Sequence, residues 1–492
     1  MEQDYIKLIF GLKLKQIRTD KGLSLFGLSK LCGLSKSYLN EIEKGKKYPK
    51  PDKIVILSDK LEVPYDEMVS LKLDKNLAPI GEILQSKVLK EIPLELFGIK
   101  EGILIDIIAN APSKVTAFIS TIIEIAKHYS FSKESFYLAS VRSFQEANYN
   151  YFDHLEQSVL DFSKTYQVDL KTQIDAKELE DILIEEFGYT INSKELALHS
   201  ELNDLRSVFV PKSKILLLSS KIDDAQKTFI YAKEIAYNYL DIKDRLYTFS
   251  WIKFDNFDQV LNNFYASYFA GALVIPRASI TSDIKNLFGK SVFNTKDFFK
   301  ILNKYNASPE SIFQRFTNIL PHDFNLKSLF FLRFSHEKGT NRYELNKELH
   351  LSKQQSPHAN ETNEHYCRRW VSLKVIKMIS DNTSQHEFDI QISNYPDQEK
   401  QYLVLSSATA DPFKSNRFRS VSIGIEINNL TKRKIAFTGN SKLKTVDVGV
   451  TCERCNIVDC ELRQAQPNVI EAQLKDDKIS EVVEHLQRKF SN

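Results

Sequence analysis

Three cysteines crowd one short segment, TCERCNIVDC, which holds Cys452, Cys455 and Cys460 in a chain of 492 residues with five cysteines in all. Thiolates gathered by one loop suit soft metals: zinc, copper(I) or an iron–sulfur cluster. Such a centre takes four ligands, and the segment supplies three. Cys367, in HYCRRW, is the distant thiol that can complete the set, because the remaining cysteine, Cys32, lies in a different part of the chain. His365, two residues earlier, is the imidazole alternative. The same spacing is also met by three separate reduced thiols, so spacing alone leaves the centre open. Around Cys367, Arg368, Arg369 and Trp370 form a ligand-binding candidate with Arg419: guanidinium groups either neutralise an anionic centre or grip phosphate and carboxylate in bidentate fashion. Arg417 and Arg463 add further donors, or are solvated surface charge.

A second constellation stands at the opposite end. Residues 1–60 carry 13 Lys and Arg against 7 Asp and Glu, an excess of six that can attract phosphate, although the whole chain carries only +3. Ile6, Ile9, Phe10, Leu14 and Ile17 recur at helical spacing up to Gly22. Ser24 can cap a second helix that turns Leu25, Leu28 and Leu31 inward, Gly33 supplies a tight turn, and Ser35 can cap a third, SKSYLNEIEKG. With Leu39 and Ile42 facing the core, Ser35, Lys36, Ser37 and Asn40 are the residues expected to reach DNA, by phosphate or base contacts. The pattern is a helix-turn-helix whose closing turn, Glu43 to Pro49, resembles the XRE/Cro-type repressor domain. A following helix packs through Ile54, Leu57 and Leu61. Cys32 reads as a packed thiol. One such unit contacts few bases, so useful specificity implies a homodimer reading two half-sites of double-stranded operator DNA.

Between the two lies a stretch whose chemistry is incomplete. In DDAQKTFIYAKEIAYNYL, Lys233 to Tyr237 resembles the metal-binding helix of ImmA/IrrE-type metallopeptidases, which places two histidines one turn apart and a glutamate beside the first. Here Lys233 and Tyr237 stand at the histidine places, Asn263 stands where a third, acidic ligand falls, and only Glu234 remains. A catalytic zinc would lack its ligands, so no peptidase chemistry and no catalytic residue are expected.

The elements needed to position these groups make a multidomain, mainly α chain: a helix-turn-helix domain over 1–72, a helical connector and dimerisation region over 73–168, a degenerate zincin-like region over 169–325 and an α+β domain with a predominantly antiparallel sheet over 326–492. Within the connector, Pro112 opens a helix and Ser132 caps the next. Ser308, Pro309 and Glu310 start a helix that Pro321 ends. Strands are expected at SLFFLRFS, RRWVSLKVI, HEFDIQISNY, QYLVLSSATA, SVSIGIEINN, KIAFTG and TVDVGV, with a polar loop over 341–360. No uninterrupted 18-residue apolar run suggests a membrane span, and five cysteines without a leader-like segment suit a reducing cytoplasm.

Taken together, the XRE-type domain, IPLELFGIK at Ile92–Lys100, NNFYASYFAGALVIP, HYCRRW and CERCNIVDC resemble the short-chain fatty acyl transcriptional regulators. The resemblance covers nearly the whole chain. It implies a GAF-like fold for the α+β domain over 326–492, an acyl-CoA effector, control of propionate or glyoxylate metabolism, and a [4Fe-4S] cluster on Cys367, Cys452, Cys455 and Cys460, with structural zinc as the alternative. Two other readings compete with it: a metallopeptidase-like stress-response regulator, and a structural or interaction protein that senses nothing.

Overall fold

The first unit is built largely from helices too short to stand alone. The computed structural model describes residues 2–71, 133–248, 254–351, 363–381, 386–414 and 416–490. They fall into two compact units, residues 1–140 with 255–257, and residues 141–254 with 258–492. The boundaries expected at 169 and 326 both lie inside the second unit. The connector expected over 73–100, the helix opened by Pro112 and the Ser132 cap lie outside the described residues.

In the first unit, α1 (Glu2–Asp20), α2 (Leu25–Cys32), α3 (Lys36–Glu43), α4 (Pro51–Leu61) and α5 (Tyr65–Val69) follow one another. Isolated helices of eight residues are unstable in water, so packing holds them. Phe10, Leu14, Leu28, Cys32, Leu39, Ile42, Ile54, Leu57, Leu61 and Met68 share one core. The Ser24 hydroxyl accepts from the Gly27 amide at 2.9 Å and the Ser35 hydroxyl from the Tyr38 amide at 3.2 Å, so both caps fall where the sequence puts them. Gly33 ends α2 at φ 64°, in the left-handed region that glycine enters without strain. One inward position differs. Leu31 is 43% exposed, and the neighbouring Cys32 thiol takes the inward place instead.

The second unit is organised by a six-stranded sheet in the order β5-β4-β8-β7-β6-β9. Its strands are β4 (Leu329–Glu337), β5 (Tyr343–His350), β6 (His386–Tyr395), β7 (Lys400–Ala410), β8 (Arg417–Glu426) and β9 (Thr445–Asp447). All neighbours are antiparallel except β6 and β9. Alternation along a strand sends successive side chains to opposite faces. Leu329, Phe331, Leu403, Leu405, Ile423 and Ile425 therefore join the core of the helical body. Phe330, Leu332, Phe334, Tyr402 and Val404 pack on the other face against Val371, Val375, Ile376 and Ile379. Opposite Phe330 in the register stands Gly424, where a Cβ would lie 2.1 Å from the ring. Glycine is required there because the aromatic ring crosses its neighbour's backbone.

The helical body comprises Asp153–Tyr166, Ala176–Glu185, Asp224–Tyr239, Phe257–Val274, Arg277–Phe288, Thr295–Lys304 and Pro309–Asp323, with a small sheet in which β3 (Ile215–Leu218) runs between β1 (Thr190–Asn192) and β2 (Ser207–Val210). Ser308 caps the last helix through the Ser311 amide. Pro321 does not stop that helix, which runs on to Asp323. Inside the body, Arg315 forms a bidentate pair with Glu156 at 2.5 and 2.8 Å, and the Tyr268 hydroxyl donates to the same carboxylate at 2.8 Å. A buried charge is tolerated when it is paired and hydrogen-bonded in this way.

Three element readings are corrected. The expected strand RRWVSLKVI is the helix Val371–Asp381, whose buried Val371, Ser372, Val375, Ile376 and Ile379 follow helical spacing. KIAFTG contains the 3-10 turn Ala436–Gly439. The expected loop over 341–360 begins as β5, an edge strand whose polar outer residues hide its extended conformation.

Candidate nucleic-acid interface and cysteine cavity

The recognition helix α3 presents a polar side. Ser35, Lys36 and Ser37 are exposed and Asn40 is half-buried, while Leu39 and Ile42 are fully buried beneath them. Glu43 at the end of α3 points back into the domain, where Arg18 grips its carboxylate at 2.6 and 2.9 Å. Arg18 also donates to the Leu23 carbonyl at 2.7 Å, so one guanidinium ties α1, the α1–α2 turn and α3 together. That clamp takes the acidic end of α3 out of competition with phosphate. Lys44, Lys46 and Lys47 follow directly. These three lysines belong to the basic excess of residues 1–60.

The four cysteines of the second constellation meet. Cys367, Cys452, Cys455 and Cys460 line one small cavity, together with Arg368, Arg369 and Arg463. All four are free thiols; three are buried and Cys460 is half-buried. Backbone pairing between two distant segments brings them there. Tyr366 and Thr451 form an antiparallel bridge, the Cys367 amide donates to the Val450 carbonyl at 3.1 Å, and the Cys452 amide donates to the His365 carbonyl at 2.8 Å. Carboxylates brace the join: Glu453 accepts from the His365 amide and contacts its Nδ1, and Glu364 accepts from the Thr451 hydroxyl at 2.6 Å. His365 is thus engaged by Glu453 and does not line the cavity.

Arg463 holds the cysteine loop itself, donating to the carbonyls of Cys452 at 3.0 Å, Cys455 at 3.2 Å and Ile457 at 2.5 Å. Gly449 lies against Cys455; a Cβ there would stand 2.7 Å from its sulfur. The Gly449 carbonyl accepts from Trp370 Nε1 at 2.9 Å. Burial pushes the Cys367 thiol up to about 11, with backbone amides of Arg369 and Gly449 opposing and the neighbouring Cys455 and Cys452 adding to the rise. Among the described residues, no group of three or more His, Cys, Asp or Glu is arranged to hold a metal ion. The thiols share a cavity rather than a single point.

The four candidate ligand-binding residues separate. Arg368 stacks over Tyr343 at 4.2 Å and donates to the Asn341 carbonyl at 2.6 Å. Arg369 reaches the carbonyls of Asp447 and Asp459, both at 3.3 Å. Trp370 is buried, with its indole N–H satisfied by Gly449. Arg419 lies on β8, paired with buried Asp411, and is not among the residues lining the cysteine cavity.

In the helical body the three positions without their metal ligands also converge. Lys233 Nζ donates to Asn263 Oδ1 at 2.6 Å, and the Tyr237 hydroxyl donates to the same oxygen at 3.3 Å. Glu234 accepts from Arg245 at 2.6 Å and from the Tyr189 hydroxyl at 3.0 Å. Burial lowers the Lys233 pKa to about 7, with Glu234 opposing and Arg245, Lys347 and Arg206 lowering it further. An ammonium, a phenol and an amide are a poor donor set for zinc.

Comparison with known proteins bears first on the amino-terminal helices. Residues 14–68 match a family model described as helix-turn-helix. Those residues are accordingly a DNA-binding module of the kind found in transcriptional regulators. No curated protein matches the sequence. A solved structure described as a Mycobacterium tuberculosis transcriptional regulator is similar at 16% identity and a TM-score of 0.47, over 66% of this chain and 92% of that one. Among the described residues, no helix is long and apolar enough to cross a membrane.

Proposed function

We propose that the chain is a cytoplasmic, homodimeric regulator of short-chain acyl metabolism, of the propionate or glyoxylate type, that binds operator DNA through α3 and responds to an acyl-CoA. In this reading Cys367, Cys452, Cys455 and Cys460 hold a [4Fe-4S] cluster. The observation that carries it is the meeting of those four thiols on one cavity flanked by Arg368, Arg369 and Arg463. A polynuclear cluster binds each thiolate to a separate iron, so it needs ligands that share a cavity. One zinc, about 2.3 Å from every sulfur, needs them drawn to a point. The three guanidinium groups oppose the negative charge that four thiolates bring.

The chain's own residues have defined tasks. Arg463 fixes the loop from Cys452 to Ile457 through its carbonyls, and Gly449 leaves room for the Cys455 sulfur. Ser35 caps the recognition helix while Lys36, Ser37 and Asn40 face the duplex. Arg368, Arg369, Trp370 and Arg419 are assigned to the acyl-CoA effector; of these, Arg368 and Arg369 line the cysteine cavity. A coupling of about 1–3 kcal/mol between effector and DNA changes operator affinity roughly 5–150-fold.

Anaerobic purification followed by iron, zinc and sulfide analysis tests the centre. About four irons per chain with broad visible absorption, lost in the Cys455→Ser variant, supports the cluster; colourless protein with one zinc per chain replaces it with the structural-zinc alternative. Operator binding measured with and without propionyl-CoA tests the effector, and an unchanged affinity removes it.

A further inference from the structure

The helix Asn468–Phe490 has 23 residues and buries none of them; from Glu471 to Phe490 every residue is exposed. At about 1.5 Å per residue it spans roughly 35 Å. Its base is held, because the Val469 and Ile470 amides donate to the Glu453 carbonyl at 3.1 and 3.4 Å, so the helix rises directly from the cysteine loop. A helix of this length is marginal in water by itself, and packing of an apolar face normally supplies what propensity does not.

Such a face is present and has a seven-residue period. With heptad positions lettered a to g, Val469, Val483 and Phe490 fall at a, and Ala472, Ile479 and Leu486 fall at d. Ile479, Val483, Leu486 and Phe490 are 53%, 46%, 45% and 76% exposed. From Asp477 onward the b, c and f positions carry Asp477, Lys478, Glu481, Glu484, His485 and Arg488. A helix lying on a globular body shows a broad apolar face, whereas an a/d stripe this narrow is the seam of a coiled coil. The seam therefore fits another helix.

The charges beside the seam fit a second copy of this helix running parallel to the first. In that arrangement each g residue meets an e residue of the next heptad across the interface: Lys475 meets the partner's Ser480 and Val482 the partner's Gln487, so no like charges oppose. Asp476 is the one charged residue at an a or d position. The partner's Lys475, at the adjoining g position, stands beside it and offsets the two facing carboxylates, while a slip of one heptad would set Asp476 against Val483. The antiparallel alignment that sets Val483 against Ile479 instead brings Lys475 opposite Lys489 at both ends, two repulsive pairs. Val483 at a with Leu486 at d favours two strands over more. We propose that the helix Asn468–Phe490 pairs with its counterpart in a second copy of this chain as a parallel two-stranded coiled coil. This rests on the homodimer reading above and adds a contact outside the connector over 73–168.

Sedimentation equilibrium of the full chain without DNA tests it. The expected result is a dimer whose dissociation constant rises at least tenfold in Val483→Glu and stays unchanged in Leu474→Glu, which adds the same charge at an f position that is 62% exposed. Circular dichroism reports whether each variant folds. If Val483→Glu does not, Lys475→Glu decides: it leaves the apolar seam intact and sets a further negative charge beside Asp476, so a raised constant supports the pairing and an unchanged one overturns it. A wild-type dimer with the same constant in folded Val483→Glu would overturn this contact and leave the homodimer reading standing. A wild-type monomer at every concentration would remove both. Equal weakening by Leu474→Glu would also overturn the proposal, since the effect would not follow the seam.

Discussion

Gly449 has no side chain, yet it governs the cysteine cavity, because any Cβ there meets the Cys455 sulfur at 2.7 Å. Gly449→Ala is expected to displace Cys455 and to lower bound iron or zinc per chain by more than half, while operator binding by the helix-turn-helix stays within about twofold. Metal analysis and operator titration check both halves. Lys233 makes a second prediction at this scale. Its folded pKa of about 7 lies below its ordinary 10.5, so between those values the unfolded chain binds the additional proton and stability climbs with rising pH. Lys233→Met removes the titrating group and flattens that rise, which denaturant melts at pH 7, 8.5 and 10 would show; an unchanged slope counts against it. Cysteines were legible in the sequence because thiols are rare and their chemistry is intrinsic to the residue type. The need for Gly449, and the part Arg463 plays as a donor to backbone carbonyls rather than to an anion, were not, since both arise only when folded backbone arrives beside them.

At the scale of elements, the recognition helix is short enough for its cap to matter. Ser35→Ala removes the acceptor for the Tyr38 amide and should cost about 1 kcal/mol of stability in the amino-terminal unit. Lys36→Ala leaves the fold intact but should weaken DNA binding uniformly across sequences, reducing the slope of log affinity against log salt by about one if Lys36 neutralises one phosphate. Binding isotherms over a salt series separate the two effects. The helix-turn-helix was readable from capping serines, Gly33 and inward apolar spacing because each is a local rule. The strand expected at RRWVSLKVI shows where local rules compete: β-branched residues favour extension, but Val371, Val375, Ile376 and Ile379 fall on one helical face and packing against the sheet decides. In β5 the opposite happened, since a polar edge strand has its conformation imposed by the register with β4 rather than by its own composition.

Across the whole molecule, buried carboxylates tie stability to acidity. Glu156, Glu310 and Asp323 all titrate below their ordinary range; burial pushes each up, and this is overcome by Arg315 at Glu156, by Lys347 and Arg333 at Glu310, and by hydrogen bonds from Arg277 and Thr281 at Asp323, which reaches about 2. Groups with depressed folded pKa values stabilise fully above the unfolded range near 4 and lose that contribution as pH falls toward 2. Thermal melts of the second unit should therefore drop steeply between about pH 4.5 and 2.5, and Glu156→Gln should lose stability at pH 7 while showing a shallower acid transition. A flat profile through that window would refute this. The broad plan of a helical amino-terminal unit followed by helices and then strands was visible from periodicity. The division into two units, with residues 255–257 joining the first, was not, because it depends on contacts between segments far apart in sequence.

The pairing of Tyr366 with Thr451 has a consequence in the statistics of the chain. His365 and Glu453 lie 88 positions apart, and between them run two α-helices and the strands β6 to β9. Fixing the two ends of so long an excursion removes about 4.6 kcal/mol of closure entropy from the unfolded ensemble when the tie is permanent. A centre bridging Cys367 to the 452–460 loop would act as such a tie, so extracting it should lower the melting temperature of four strands of the sheet rather than of one loop.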